Sequence, residues 1–124
     1  MRGMGTRDAQ AVVRKILFTE AKAWKDHMVL AQKSFLADVA SRLKKDLKGA
    51  TIKVDAQLEV QWEGFRGVIA FPKDPAYWGV ELLFFLWMPN ASYPEKSSET
   101  YTVEKLTPEA ATRDFLKLVR IVSR

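Results

Sequence analysis

Glu81 is the single polar residue in the run VELLFFLWM, residues 80–88. A carboxyl group held among apolar neighbours loses hydration, which disfavours its charged form and equips it to exchange a proton near neutral pH. Glu81 is therefore the residue of this chain that suits acid–base chemistry; a rim carboxylate paired with Arg or Lys is the plainer alternative. Asp55 and Glu59 share the wet side of TIKVDAQLEVQW, residues 51–62. On one strand they would stand about 13 Å apart, too far to share a proton or a metal ion. Neither Glu81-Leu82-Leu83 nor Glu59-Val60-Gln61 carries the lysine of the Glu-x-Lys pattern found in metal-dependent nucleases. His27 is the one histidine and there is no cysteine, so a zinc site would need carboxylates. No nucleophile elbow or phosphate loop is present. Neither a metal nor a cofactor is expected, and an enzyme working through Glu81 ranks last among three functional readings.

The second chemistry is the holding of anions. The chain has a net charge of +5, and residues 1–50 contain 11 Lys and Arg against 5 Asp and Glu. On a helix, Arg7, Arg14, Lys15, Lys22 and Lys25 fall on one side, opposite the apolar stripe, and Phe18 points the same way. Cations with an interleaved aromatic are what a nucleic-acid contact uses, the charges for phosphates and the ring for a base. A solvated lysine-rich face is the competing account.

The third is apolar recognition. As a strand, residues 77–88 put Trp78, Val80, Leu82, Phe84, Leu86 and Met88 on one side, and Tyr77, Gly79, Glu81, Leu83, Phe85 and Trp87 on the other. An antiparallel sheet ordinarily has one dry and one wet face, so a strand that is apolar on both needs two coverings. Helices can supply one. The C-terminal helix or a second subunit must supply the other, and Tyr77, Glu81, Leu83, Phe85 and Trp87 then form a face for a protein partner or a small ligand.

These residues must be positioned by an α+β fold of two N-terminal helices, a three- to four-stranded antiparallel sheet and a C-terminal helix. Thr6 to Leu47 contains no glycine or proline and is rich in Ala, Leu, Lys and Glu, which predicts helix. One straight helix of that length would run about 63 Å, so two helices meeting between Asp26 and Ser34 suit a small domain better, with one long protruding helix as the alternative. Gly49 closes the segment. The period then changes from 3.6 to 2: Ile52, Val54, Ala56, Leu58, Val60 and Trp62 alternate with polar residues, the pattern of a strand with one dry face. Glu63-Gly64 reads as a tight turn and residues 65–71 as the returning strand. Residues 77–88 form the third strand, 90–99 a polar loop, and 101–106 a fourth, edge strand. Thr107-Pro108-Glu109 is a helix start, with a cap, a proline in the first turn and an acid near the N-terminus.

A chain of 124 residues fits one domain: a basic helical segment over 1–50, a sheet over 51–106 and a helix over 107–124. No apolar run is long enough to cross a membrane, and the absence of cysteine fits a reducing compartment, so a cytoplasmic location is expected. The leading functional reading is a small binding protein, a homodimer that uses the aromatic sheet face. A nucleic-acid-binding accessory protein using the basic helix face is the alternative.

Overall fold

The computed structural model describes residues 6–123, with side chains throughout that range except at residues 6–8, 17, 18 and 21. The element order is α1 (Thr6–Asp46), β1 (Thr51–Val54), β2 (Leu58–Trp62), β3 (Phe65–Ala70), a 3-10 turn (Pro75–Tyr77), β4 (Glu81–Trp87), β5 (Glu95–Thr100) and α2 (Pro108–Val122). The class is α+β, with one antiparallel sheet of five strands in the order β1-β2-β3-β4-β5. The sheet is a simple meander, each strand joined to its neighbour by a short connection.

The N-terminal helical segment is one helix, not two. Nothing between Asp26 and Ser34 interrupts the backbone hydrogen-bond ladder, since the segment has no glycine, proline or internal cap. The chain nevertheless divides into two compact units, residues 1–31 and 32–124, and the division falls inside the expected junction. It is a change of packing along a continuous backbone. In the second unit, Leu36, Val39, Ala40 and Leu43 of α1 are buried. In the first, Val12, Val13, Ile16, Trp24, Val29 and Leu30 are exposed.

The long alternation at 51–62 is two strands, β1 and β2, joined by Asp55-Ala56-Gln57. Register explains why one continuous pattern hides a hairpin. Val54 pairs with Leu58 and Ile52 with Val60, so even-numbered residues pair with even-numbered residues across a three-residue turn. The dry face keeps its parity through the loop, and only Ala56, exposed at the bend, leaves it. The next hairpin follows expectation. Trp62 pairs with Phe65, and Glu63 and Gly64 between them have φ of 47° and 84°. Positive φ at both central residues matches the twist of the flanking strands, and the glycine adopts it without steric cost.

The third expected strand begins later, at Glu81. Asp74 accepts a 3.0 Å hydrogen bond from the Ala76 amide and starts the 3-10 turn, which takes Tyr77 out of the sheet. The indole of Trp78 donates to the Pro72 carbonyl at 2.6 Å. The fourth strand lies earlier than expected, at Glu95–Thr100, inside the segment read as loop; residues 101–106 are irregular. EKSSET has weak strand propensity. It is held because it supplies the backbone partner that β4 needs on its free side, with Glu81 opposite Thr100 and Leu86 opposite Glu95.

Both helical segments of the 32–124 unit pack on the same, inner sheet face. Leu58, Val60, Trp62, Ile69, Leu82, Phe84 and Leu86 form one cluster with Leu36, Val39, Leu43, Ala111 and Phe115. The Phe115 ring meets Trp62 and Phe84, with centroids 6.1 and 6.2 Å apart. Thr107 caps α2 as expected, accepting a 3.1 Å bond from the Ala110 amide.

Candidate functional site

With both helical segments of the 32–124 unit on the inner face, the outer face of the sheet carries the other parity of each strand. On β4 that is Glu81, Leu83, Phe85 and Trp87, all partly buried beside the fully buried Leu82, Phe84 and Leu86. The C-terminal helix therefore does not provide the second covering of this strand. Val68 joins the face from β3 as the cross-strand partner of Phe85, and Ala70 as the partner of Leu83. Val68 is only 4% exposed yet lies outside the main core cluster, because its outer-face neighbours bury it.

A small apolar layer results. Phe85 and Trp87 stack with centroids 6.3 Å apart and planes tilted by 28°. The Arg66 guanidinium lies over the Trp87 ring, 4.7 Å from its centroid, a cation–π contact. Arg66 Nη2 also meets Glu59 Oε1 at 3.3 Å, and Gln57 Nε2 donates to the same oxygen at 3.2 Å. A central strip of Val68, Leu83, Phe85 and Trp87 thus has organised charge on its β2 side and Lys96 on β5 as the cross-strand partner of Phe85.

Glu81 lies at one end of this strip. Its Oε1 accepts a 2.6 Å hydrogen bond from the Ser98 hydroxyl. Arg66, on the same face, is engaged by Glu59. Of the five residues read as a face, Glu81, Leu83, Phe85 and Trp87 are brought together, while Tyr77 stands on the 3-10 turn, 51% exposed. Val68, Arg66 and Lys96 are the members that sequence reasoning missed. Their signal is the alternation in Phe65–Ala70, where Arg66, Val68 and Ala70 share a parity, combined with a register that only the folded sheet provides.

The acids of the β1–β2 region do not converge. Asp55 sits in the turn and pairs with Lys33 Nζ at 3.3 Å, while Glu59 serves Arg66. Among the described residues, no group of three His, Asp or Glu could hold a metal ion, and no helix is long and apolar enough to cross a membrane.

Arg14, Lys15, Lys22 and Lys25 are exposed on α1, and none of the described ion pairs engages them. The side chains of Arg7 and Phe18 lie outside the described residues. His27 is exposed on the same helix. An open cleft of about 400 Å³ separates the end of α1 from α2, lined by Arg42, Lys45 and Asp46 on one side and Glu109, Arg113 and Arg120 on the other. Two of its cations have carboxylate partners: Arg42 with Asp38 at 3.0 Å and Arg113 with Asp114 at 3.3 Å.

Tyr101, just after β5, donates a 2.6 Å hydrogen bond to Asp114 Oδ2 on α2. Burial, then the hydrogen bond and charge of Asp114, push the phenol well above the ordinary tyrosine value of 10.0. This pair fastens the edge of the sheet to the helix and lies on the inner side, away from the aromatic strip. Comparison of the chain with protein-family models, curated proteins and solved structures gave no match in any of the three.

Proposed function

We propose that this is a small binding protein whose docking surface is the outer face of β3 and β4, and that its partner is a protein surface. One observation carries the reading. Both helical segments of the 32–124 unit pack on the inner face, while the outer face presents Leu83, Phe85 and Trp87 with Arg66 laid over the last. An aromatic and Arg-containing strip with a charged rim is the composition of protein-binding hot spots. A sheet face suits a protein surface better than a small ligand, which needs a concave site that surrounds most of its surface. A cytoplasmic location belongs to the same proposal and rests on the cysteine-free composition.

The test compares two charged substitutions, Phe85→Lys on the sheet and Ile16→Lys on α1, by binding of an apolar fluorescent dye at sub-micromolar chain concentration. Dye binding should fall several-fold with Phe85→Lys and hold with Ile16→Lys, circular dichroism being unchanged in both. The opposite pattern would move the docking surface to α1 and overturn the reading.

A further inference from the structure

Resting on that docking surface, we infer that its occupant is a second copy of this chain, seated face to face across a two-fold axis that runs parallel to the strands between β3 and β4. The strand register carries the argument. Lys53 pairs with Glu59, Glu59 with Val68, Val68 with Phe85 and Phe85 with Lys96, so these residues form one line across the outer face. Gln61, Arg66 and Trp87 form the next line on one side, and Ala70, Leu83 and Ser98 the next on the other.

A two-fold interface is self-complementary: the same patch must suit itself after rotation. The strand-parallel axis keeps each line facing itself, exchanges β3 with β4 of the second copy, and exchanges β2 with β5. Val68 then meets Phe85 of the other copy, and the small Ala70 meets Leu83. Arg66 meets the second Trp87. Glu59 meets Lys96, and symmetry makes that opposite-charge pair twice. The other in-plane axis, perpendicular to the strands, would set Glu59 against Glu59 and Lys96 against Lys96. Like charges brought together across an interface disfavour that arrangement.

Geometry permits the chosen pairs. Packed sheets lie about 10 Å apart, and residues on β2 and β5 stand about 7 Å from this axis. The usual rotation of about 30° between packed sheets displaces such residues by about 4 Å, which a lysine side chain can span. The Glu59 carboxylate is already oriented by Arg66 and Gln57. The four strands that face one another, β2 to β5, cover on the order of 400 Å² per copy, below the size of standard stable interfaces, so the expected dimer is a weak one.

The chain has no cysteine, so introduced thiols report without background. Glu59→Cys and Lys96→Cys variants are treated with a short bis-maleimide at high chain concentration, separately and mixed. The mixed sample should give a cross-linked dimer and each variant alone should not. Cross-linking of each variant alone would assign the perpendicular axis and overturn the inference. In sedimentation equilibrium, Lys96→Glu should weaken the dimer by roughly tenfold, and Glu59→Lys combined with Lys96→Glu should restore it. A wild-type chain that stays monomeric, with no cross-link in any sample, overturns the second copy as partner. The docking surface itself then stands or falls separately, by whether Phe85→Lys abolishes dye binding.

Discussion

The Phe115 ring occupies the space where a side chain on residue 67 would lie. A Cβ placed on Gly67 would come within 2.4 Å of Phe115 Cζ and 2.9 Å of Cε1, with Val60 Cγ1 at 3.0 Å. Gly67 is thus the opening in the sheet through which α2 docks, and Phe115, fully buried, is its anchor. Gly67→Ala should destabilise the fold by about 1–3 kcal/mol through overpacking. Phe115→Ala should cost about 3–5 kcal/mol through the cavity it leaves. Urea unfolding monitored by circular dichroism measures both; a neutral Gly67→Ala would mean that α2 sits differently on the sheet.

Adjacent phenylalanines on β4 should respond very differently. Phe84 faces the core at 1% exposure, whereas Phe85 faces outward. Phe84→Ala is expected to cost about 3–5 kcal/mol, and Phe85→Ala about 1 kcal/mol from lost cross-strand contacts. Chemical denaturation at low chain concentration compares them. Equal costs would show that the outer face is as enclosed as the inner one.

Tyr101 makes stability sensitive to alkaline pH. Its phenol is held neutral in the fold above the ordinary value of 10.0, so the unfolded chain releases that proton first. The pair's contribution is fully present below pH 10 and declines as pH rises beyond it, because the unfolded state then gains free energy by ionising. Tyr101→Phe should lose about 1.5–3 kcal/mol at neutral pH, the worth of a hydrogen bond to a carboxylate, and should show a shallower decline above pH 10. Thermal unfolding from pH 8 to 11 reads both effects, and a parallel decline in the two proteins would remove Tyr101 as the source.

Glu81 is held by a neutral donor, the Ser98 hydroxyl. A glutamine oxygen can accept the same bond, so Glu81→Gln should change stability by less than about 0.5 kcal/mol, while Ser98→Ala should cost about 0.5–1.5 kcal/mol. Unfolding free energies at pH 7 decide the matter. A large loss with Glu81→Gln would indicate that the charge itself is held by the fold.

Local chemistry determined the parts of this protein that depend on near neighbours. Thr107, Pro108 and Glu109 specify the start of α2, because a cap, a restrained φ and a favourable dipole act within one turn. Glu63-Gly64 specifies the β2–β3 turn through its backbone conformations, and the unbroken run after Thr6 specifies helix. The two-sided apolarity of β4 was equally plain from Leu82 through Trp87. Only the tertiary structure decided which residues meet on that outer face. Val68, Arg66 and Lys96 join Phe85 and Trp87 through register, which long-range pairing sets and local propensity does not encode. The same pairing makes a strand of EKSSET, which has little tendency of its own, and hides a hairpin inside the alternation at 51–62. Placing both helical segments of the 32–124 unit on one face was likewise a tertiary outcome. Gly67 leaves a gap on the inner side alone, where Phe115 fits, and the aromatic strip lies on the opposite side.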